Sequence, residues 1–395
     1  MDMFNLLRAD RNLQDMINGS ILMTLFTKHV LSLGGSNLHL GMIGSSTAFL
    51  GLILKSVSGR LSDTRGTTKV LPWCFLISAA GNIVSAFSPS LYVLFAGRLL
   101  CTFGMPVQAL LNTMLTNLKK EAQSAFVNTL GIYMALAVIT GSLLGGFISE
   151  FGNGITYTYL LMSLNLLISF GLVGQLPNKR RLNKKDERKH TGSALANIKT
   201  TITTLKNVII SERYWDVFAI KACLEAMYGM INVNLIYLMS FVFGMGGRQI
   251  GFVISFLCVC GIVTNILQMK VNAIFYSDDK GYSKLIHGSS LLILGYLGIN
   301  FSSSFTLFII FFVVCSISKS LLDPAIMKLL LFKVDENEKG TVMGSFDSIR
   351  SLIELSNPII SGTIVEAFGP KAVYPVCICL TTVIISISVM RKYQV

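Results

Sequence analysis

Two lysine–carboxylate pairs interrupt long apolar stretches of this chain: Lys221 with Glu225, and Lys319 with Asp323. Both have i,i+4 spacing, so on a helix the two partners share one face. Such a pair can be a neutral structural bridge. It can also exchange protons. Burial disfavours an ionised carboxylate and a nearby cation favours it, so a carboxylate held between the two can load a proton from one side and release it to another. A cationic solute would compete with that proton for the same oxygens. Glu225 and Asp323 are therefore the leading candidates for proton and cation binding, with Asp15 third. Pro324 follows Asp323 and removes a helix hydrogen bond, which leaves a carbonyl free for a ligand or for hinge motion. Lys221, Lys319 and Arg98 are ion-pair partners or an anion site, and both readings stay open. Asp347, Arg350 and Glu354 are spaced to satisfy one another, facing a cytoplasmic vestibule. Asn232, Asn234, Asn265 and Gln268 can bond a solute or, as interhelical links, one another's helices.

The elements that must hold these groups are membrane helices. The chain has 395 residues, of which 52% are hydrophobic and 13% charged, and its mean hydropathy is +0.64. A soluble domain carries about 25% charged residues. Stretches such as Leu160–Leu176 and Thr306–Ser318 are nearly free of charge, and many approach the ~20 residues that span a bilayer. They are continuous rather than alternating, which argues against a β-barrel. An ionisable group inside such a segment is expensive unless paired or hydrated, so each one is a functional candidate. The pattern predicts about twelve spans, near 13–33, 39–61, 70–88, 90–115, 124–149, 155–175, 213–243, 248–275, 283–302, 304–330, 339–366 and 370–390. The expected fold class is an all-α membrane protein with two parallel six-helix repeats.

The net charge of +13 is concentrated where topology demands it. Alternate connections are basic: Arg60/Arg65/Lys69, Lys119/Lys120, the run from Lys179 to Arg213, Lys280/Lys284 and Lys333/Lys339. The intervening ones, GGSN, SPS, EFGNG, GMGGRQ, FSSS and AFGPK, are poor in charge, with Arg248 and Lys371 as their basic residues. Under the positive-inside rule both termini lie in the cytosol, in the plasma membrane or an intracellular one. The polar segment 177–211 is then a cytoplasmic linker between an N-terminal half, 1–176, and a C-terminal half, 212–395. Lys55 snorkels toward the interface.

A repeated phrase supports that division. GRLSDTRGTTKVL (Gly59–Leu71) and IFYSDDKGYSKLI (Ile274–Ile286) share the frame S-D-x-[RK]-G-x-[ST]-K. At nearly the same offset, GSLLGGFISEFG (Gly141–Gly152) meets NPIISGTIVEAFG (Asn357–Gly369). Ordered matches at one offset indicate a duplicated unit, and an even number of spans per half keeps both copies in one orientation. The first phrase reads as a short loop in which Asp63 can bond exposed helix N–H groups, Gly59 permits close helix approach and Gly66 a tight turn. Gly59, Asp63, Arg65 and Gly66 thus form a candidate electrostatic latch on the cytoplasmic face.

GRLSDTRG also resembles the loop between helices two and three of the major facilitator superfamily, G-x-x-x-D-[RK]-x-G-[RK]-[RK], with Thr64, Thr67 and Thr68 at positions that are usually basic. FAGRLLCTFG, with Arg98, resembles the helix-four motif of that family. GSLLGG, with Gly141, Gly145 and Gly146, resembles its helix-five antiporter motif, although Ser142 stands where proline is usual. Within the superfamily the likeness is to an organic-cation-transporter-like branch of solute carriers, itself similar to tetracycline/proton antiporters. GRLSDTRG, LFAGRL, VITGSLLGG, FAIKA, and GTVMG with the following NPIISG carry it. The resemblance implies a cavity lined by helices one, four, seven and ten, and exchange of organic cations or amphiphilic drug-like compounds for protons by alternating access.

Other functions are less compatible with the residues. The eight cysteines lie inside apolar runs with no CxxC pair, and His29, His39, His190 and His287 have no metal-ligand spacing. With no nucleophile–base constellation, metal box or nucleotide loop, the expectation is neither an enzyme nor an ATP-driven pump, with no metal and no cofactor. The expected partners are a small-molecule substrate, protons and the lipid bilayer, with no nucleic acid, and the protein is expected to be a monomer. Two alternatives remain: a facilitator of anionic or neutral solutes working through Arg98, Lys221 and Lys319, and a non-transporting scaffold or receptor that acts through the basic linker.

Overall fold

In a computed structural model of the chain, residues 17–22, 25–65, 67–104, 106, 135–174, 213–275, 281–334 and 339–394 are described. Among them every regular element is helical. Residues 17–22 and 25–32 form α1. It is followed by α2 (Asn37–Arg65), α3 (Thr67–Ala86), α4 (Leu91–Cys101), α5 (Ala135–Ile148) and α6 (Gly154–Gly174). After residue 212 come α7 (Trp215–Phe241), α8 (Gly247–Phe275), α9 (Tyr282–Phe301), α10 (Phe305–Lys333), α11 (Lys339–Phe368) and α12 (Val373–Gln394). Seven of the described helices are long and apolar enough to cross a membrane, and α4 and α5 are shorter apolar helices. The protein is a multi-pass membrane protein of the expected class.

One boundary differs from expectation. Gly59, Asp63 and Arg65 are not in a loop: α2 continues through all three to Arg65, and α3 begins at Thr67. An arginine in a last helical turn complements the helix dipole, so a charged phrase does not by itself end a helix. Gly66, the surroundings of Gly59, and the side chains of Asp63 and Arg65 lie outside the described residues. In the second copy of the phrase Gly281 adopts φ 115° as the residue preceding α9. That left-handed conformation favours glycine, which is the turn chemistry expected of this position.

The chain forms two compact units. One comprises residues 1–197 with Met245–Ser255, and the other comprises Ile198–Gly244 with Phe256–Val395. In the first unit α3 packs on α4 and α6. Ile21, Leu25 and Val30 of α1 join Leu94 of α4 and Tyr159 and Met162 of α6 in one buried cluster. The α5 glycines act at helix contacts. A side chain at Gly141 would reach the Ile17 carbonyl oxygen of α1 at 2.7 Å, and one at Gly146 would reach the Gly247 carbonyl oxygen at the start of α8 at 2.7 Å. The same contact is held by the Ser142 and Ser255 hydroxyls, 2.8 Å apart, and by the Arg248 N–H donating to Glu150 Oε1 at 3.2 Å. Ser142, which replaces the motif's proline, thus supplies a hydroxyl to a helix–helix link.

In the second unit α9 packs on α10 and α12, and α7 packs on α11 and α12. Tyr296, Phe308, Leu322, Leu329 and Cys377 are almost fully buried there. Phe256, Val259, Val263 and Ile266 of α8 and Leu307 and Ile310 of α10 remain exposed. In a membrane protein that surface faces lipid tails.

A charged cavity in the C-terminal unit

The expected i,i+4 pairs meet in one place. A cavity of about 550 Å3 in the C-terminal unit is lined by α7, α10 and α11, including Lys221, Glu225, Lys319, Asp323, Arg350 and Glu354. The regular 3.6-residue turn of α7 puts Lys221, Glu225, Tyr228 and Asn232 on its cavity side.

Within the cavity the three acid–base combinations behave differently. Lys221 Nζ lies 2.6 Å from Glu225 Oε1, and the two side chains are each 18% exposed. The same ammonium sits 4.8 Å from the centre of the Phe346 ring. Arg350 Nε donates to Glu354 Oε1 at 2.8 Å, one turn along α11. Lys319 and Asp323 do not close their pair. Among the described residues Asp323 makes no hydrogen bond and no salt bridge, and Lys319 Nζ lies 4.6 Å from the centre of the Tyr228 ring. That is a cation–π contact. The Tyr228 hydroxyl is buried with no hydrogen-bond partner among the described residues. Asp323 and Lys319 are both solvent-accessible as residues, and it is this cavity that they line.

The walls are fixed by polar links between helices. Asn357 Nδ2 of α11 donates to the Ala226 carbonyl oxygen of α7 at 2.9 Å, and Asn234 of α7 donates to Ser361 Oγ of α11. Asn234 is thus an interhelical residue, whereas Asn232 faces the cavity. Gly229 leaves the space that the Asn357 amide occupies, because any side chain there would collide with Asn357 Nδ2. Gly229→Val is expected to displace Asn357, separate α11 from α7 at the cavity, and destabilise the unit by about 1–3 kcal/mol. A lowered melting temperature of the purified protein in detergent checks this, and an unchanged one refutes the packing argument. Two prolines interrupt the walls. Pro324 in α10 and Pro358 in α11 each remove the helix hydrogen bond to the carbonyl four residues earlier, those of Ser320 and Glu354.

The remaining candidates lie elsewhere. Arg98 is on α4 in the N-terminal unit, with its guanidinium 5.2 Å from the Phe26 ring centre and its buried Nε without a hydrogen-bond partner among the described residues. Nearby, buried His29 shares hydrogen bonds with Tyr159 Oη at 3.3 Å and Ser88 Oγ at 3.4 Å. Asp15 and the side chain of Asp347 lie outside the described residues. No cluster of His, Cys, Asp and Glu among the described residues could hold a metal ion.

One charged group escaped the sequence reading. Asp216, in the first turn of α7, is 0% exposed and binds three other helices of its unit. Lys333 Nζ at the end of α10 donates to both its oxygens, at 2.6 and 2.7 Å, and Tyr282 Oη of α9 donates to Oδ2 at 2.8 Å. Arg391 Nε of α12 lies 3.6 Å from the same oxygen, and its guanidinium covers the Trp215 ring. Only the acidic residue in a first helical turn is visible in the sequence, and that feature is common.

Comparison with known proteins gives a consistent result. The profile of the Major Facilitator Superfamily matches residues 13–277. The chain is 24% identical over 366 residues to human (Homo sapiens) solute carrier family 67 member A1, covering 89% of this chain and 84% of that protein. It is 23% identical over 353 residues to solute carrier family 22 member 18 of Rattus norvegicus, covering 86% and 82%. Among solved structures, the human organic anion transporter MFSD10 (TETRAN) superposes with a TM-score of 0.65 at 18% identity, over 97% of this chain and 98% of that one.

Proposed function

The chain belongs to the major facilitator superfamily, as a multi-pass membrane transporter, and we propose that it exchanges solutes bearing an organic cationic group for protons. The observation that carries this reading is the open Asp323 carboxylate, in a cavity where Glu225 and Glu354 are already bridged. An unbridged carboxylate binds either a proton or a cation, and occupation by one excludes the other. Such competition at a single site is sufficient for antiport, provided the site is exposed to one side of the membrane at a time. Glu225 is the second acid of the pathway and becomes available whenever Lys221 leaves it.

In this reading the chain is organised as two six-helix halves, 1–176 and 212–395, with 177–211 as a cytoplasmic linker, and the carrier works by alternating access. Gly59, Asp63, Arg65 and Gly66 latch one conformation. Both termini face the cytosol, and the carrier works as a monomer.

The test is uptake into proteoliposomes, read against protein-free liposomes, with amine-bearing, anionic and neutral solutes and with or without a pH gradient. Amine-bearing solutes are expected to accumulate inside vesicles with an acidic lumen, beyond the passive level of protein-free vesicles. Uptake indifferent to the gradient, or confined to anionic and neutral solutes, overturns the proposal.

A further inference from the structure

The charges of this cavity contain more information than the single open carboxylate. Its walls carry three acids, Glu225, Asp323 and Glu354, and three bases, Lys221, Lys319 and Arg350. Two acid–base pairs are closed, at 2.6 and 2.8 Å. The third is left open on both sides. Lys319 and Asp323 have the spacing that closes Lys221 to Glu225, yet the Lys319 ammonium rests on the Tyr228 ring and Asp323 makes no hydrogen bond or salt bridge among the described residues. Beside them the Tyr228 hydroxyl is buried and unpartnered among the described residues. A buried hydroxyl without a partner is unfavourable and marks a place where a bonding group is missing.

Building on the reading of Asp323 as the cation site, we infer that the substrate is zwitterionic: its ammonium group binds Asp323, and its anionic group binds Lys319 and accepts a hydrogen bond from the Tyr228 hydroxyl. Charge complementarity selects this class over the two simpler ones. A plain cation on Asp323 brings a second positive charge within one helical turn of Lys319. A plain anion on Lys319 brings a second negative charge within the same distance of Asp323. Only a solute with both charges closes both ends and satisfies the phenol as well. Positions four apart on a helix are neighbours, with Cβ atoms roughly 5–6 Å apart, so the ligand's two charges must lie within a few bonds of each other. Phe346, Ile326 and Met327 supply the apolar wall for its body. Lys319 is then a specificity-determining residue that separates zwitterions from cations.

The experiment is ligand titration of the purified full-length protein in detergent, read by thermal shift. At mildly acidic pH, phenylalanine, tryptophan and γ-aminobutyrate are each compared with the methyl ester, which is then a cation, and with the deaminated acid, which is an anion. At least one zwitterion is expected to bind about tenfold or more tightly than its ester and its acid. Lys319→Gln is expected to remove the preference over the ester, and Lys319→Arg to keep it. If an ester binds as tightly as its zwitterion, or if K319Q retains the preference, the inference falls while the cation reading stands. If no zwitterion and no ester binds, both fall.

Discussion

Gradient-driven exchange of amine-bearing solutes is expected to fall to the level of protein-free liposomes when Asp323 is replaced by asparagine. The substitution keeps the shape of the side chain and removes its charge and its proton. Asp323 makes no hydrogen bond or salt bridge among the described residues, so no structural bridge is lost with it. What changes is the electrostatics of the open pair: Lys319 is left without a compensating acid on its face of α10. A cationic group then meets a net positive wall. Loss of a solvent-accessible ionic partner costs about 1 kcal/mol, which corresponds to about fivefold weaker binding, and it removes the exchangeable proton altogether. The pH dependence separates this from a general loss of fold. In the wild type, lowering the pH protonates the acid and releases the cation, so affinity falls as pH falls. In D323N affinity is expected to be low and flat across the same range. A D323N protein with normal gradient-driven exchange removes Asp323 from the coupling mechanism.

The largest expected loss of stability comes from a residue outside the cavity. Asp216→Ala removes the carboxylate at which α7, α9, α10 and α12 converge, and leaves the Lys333 ammonium without its counter-charge. Breaking a buried ionic cluster from one side costs about 3–5 kcal/mol, because the remaining charges stay partly desolvated. Thermal unfolding in detergent is expected to shift far down, with exchange per folded molecule retained, since Asp216 does not line the cavity. Replacing Asp216 and Lys333 together with apolar residues of similar size is expected to restore much of the stability, as burying neither charge removes the conflict. If D216A unfolds at the wild-type temperature, the cluster is not what holds these helix ends.

The charged cavity was legible in the sequence to the extent that its chemistry is local. The i,i+4 rule puts Lys221 beside Glu225 and Arg350 beside Glu354, and both bridges are formed. The same rule fails for Lys319 and Asp323, because a third group decides the outcome: the Tyr228 ring on α7 offers the ammonium another seat. Spacing along one helix contains no information about an aromatic face on another. The α2 boundary differs for a related reason, since the charge of GRLSDTRG reads as loop, whereas its backbone remains helical to Arg65. Lys333 likewise reads as a loop charge and is the last residue of α10. The Asp216 cluster was illegible altogether. Its partners lie 66, 117 and 175 residues away along the chain, and each alone is an ordinary polar residue near a helix end.

The order of those partners has a consequence for how the protein is made. Tyr282, Lys333 and Arg391 emerge from the ribosome in that sequence, long after Asp216 has entered the membrane with α7. Until α10 is inserted, Asp216 has, among the described residues, only a phenol to bond, and until α12 is inserted the second cation is missing. The C-terminal unit is therefore electrostatically complete only once its last helix is in place: before α12 is inserted the Asp216 carboxylate lacks its second cation.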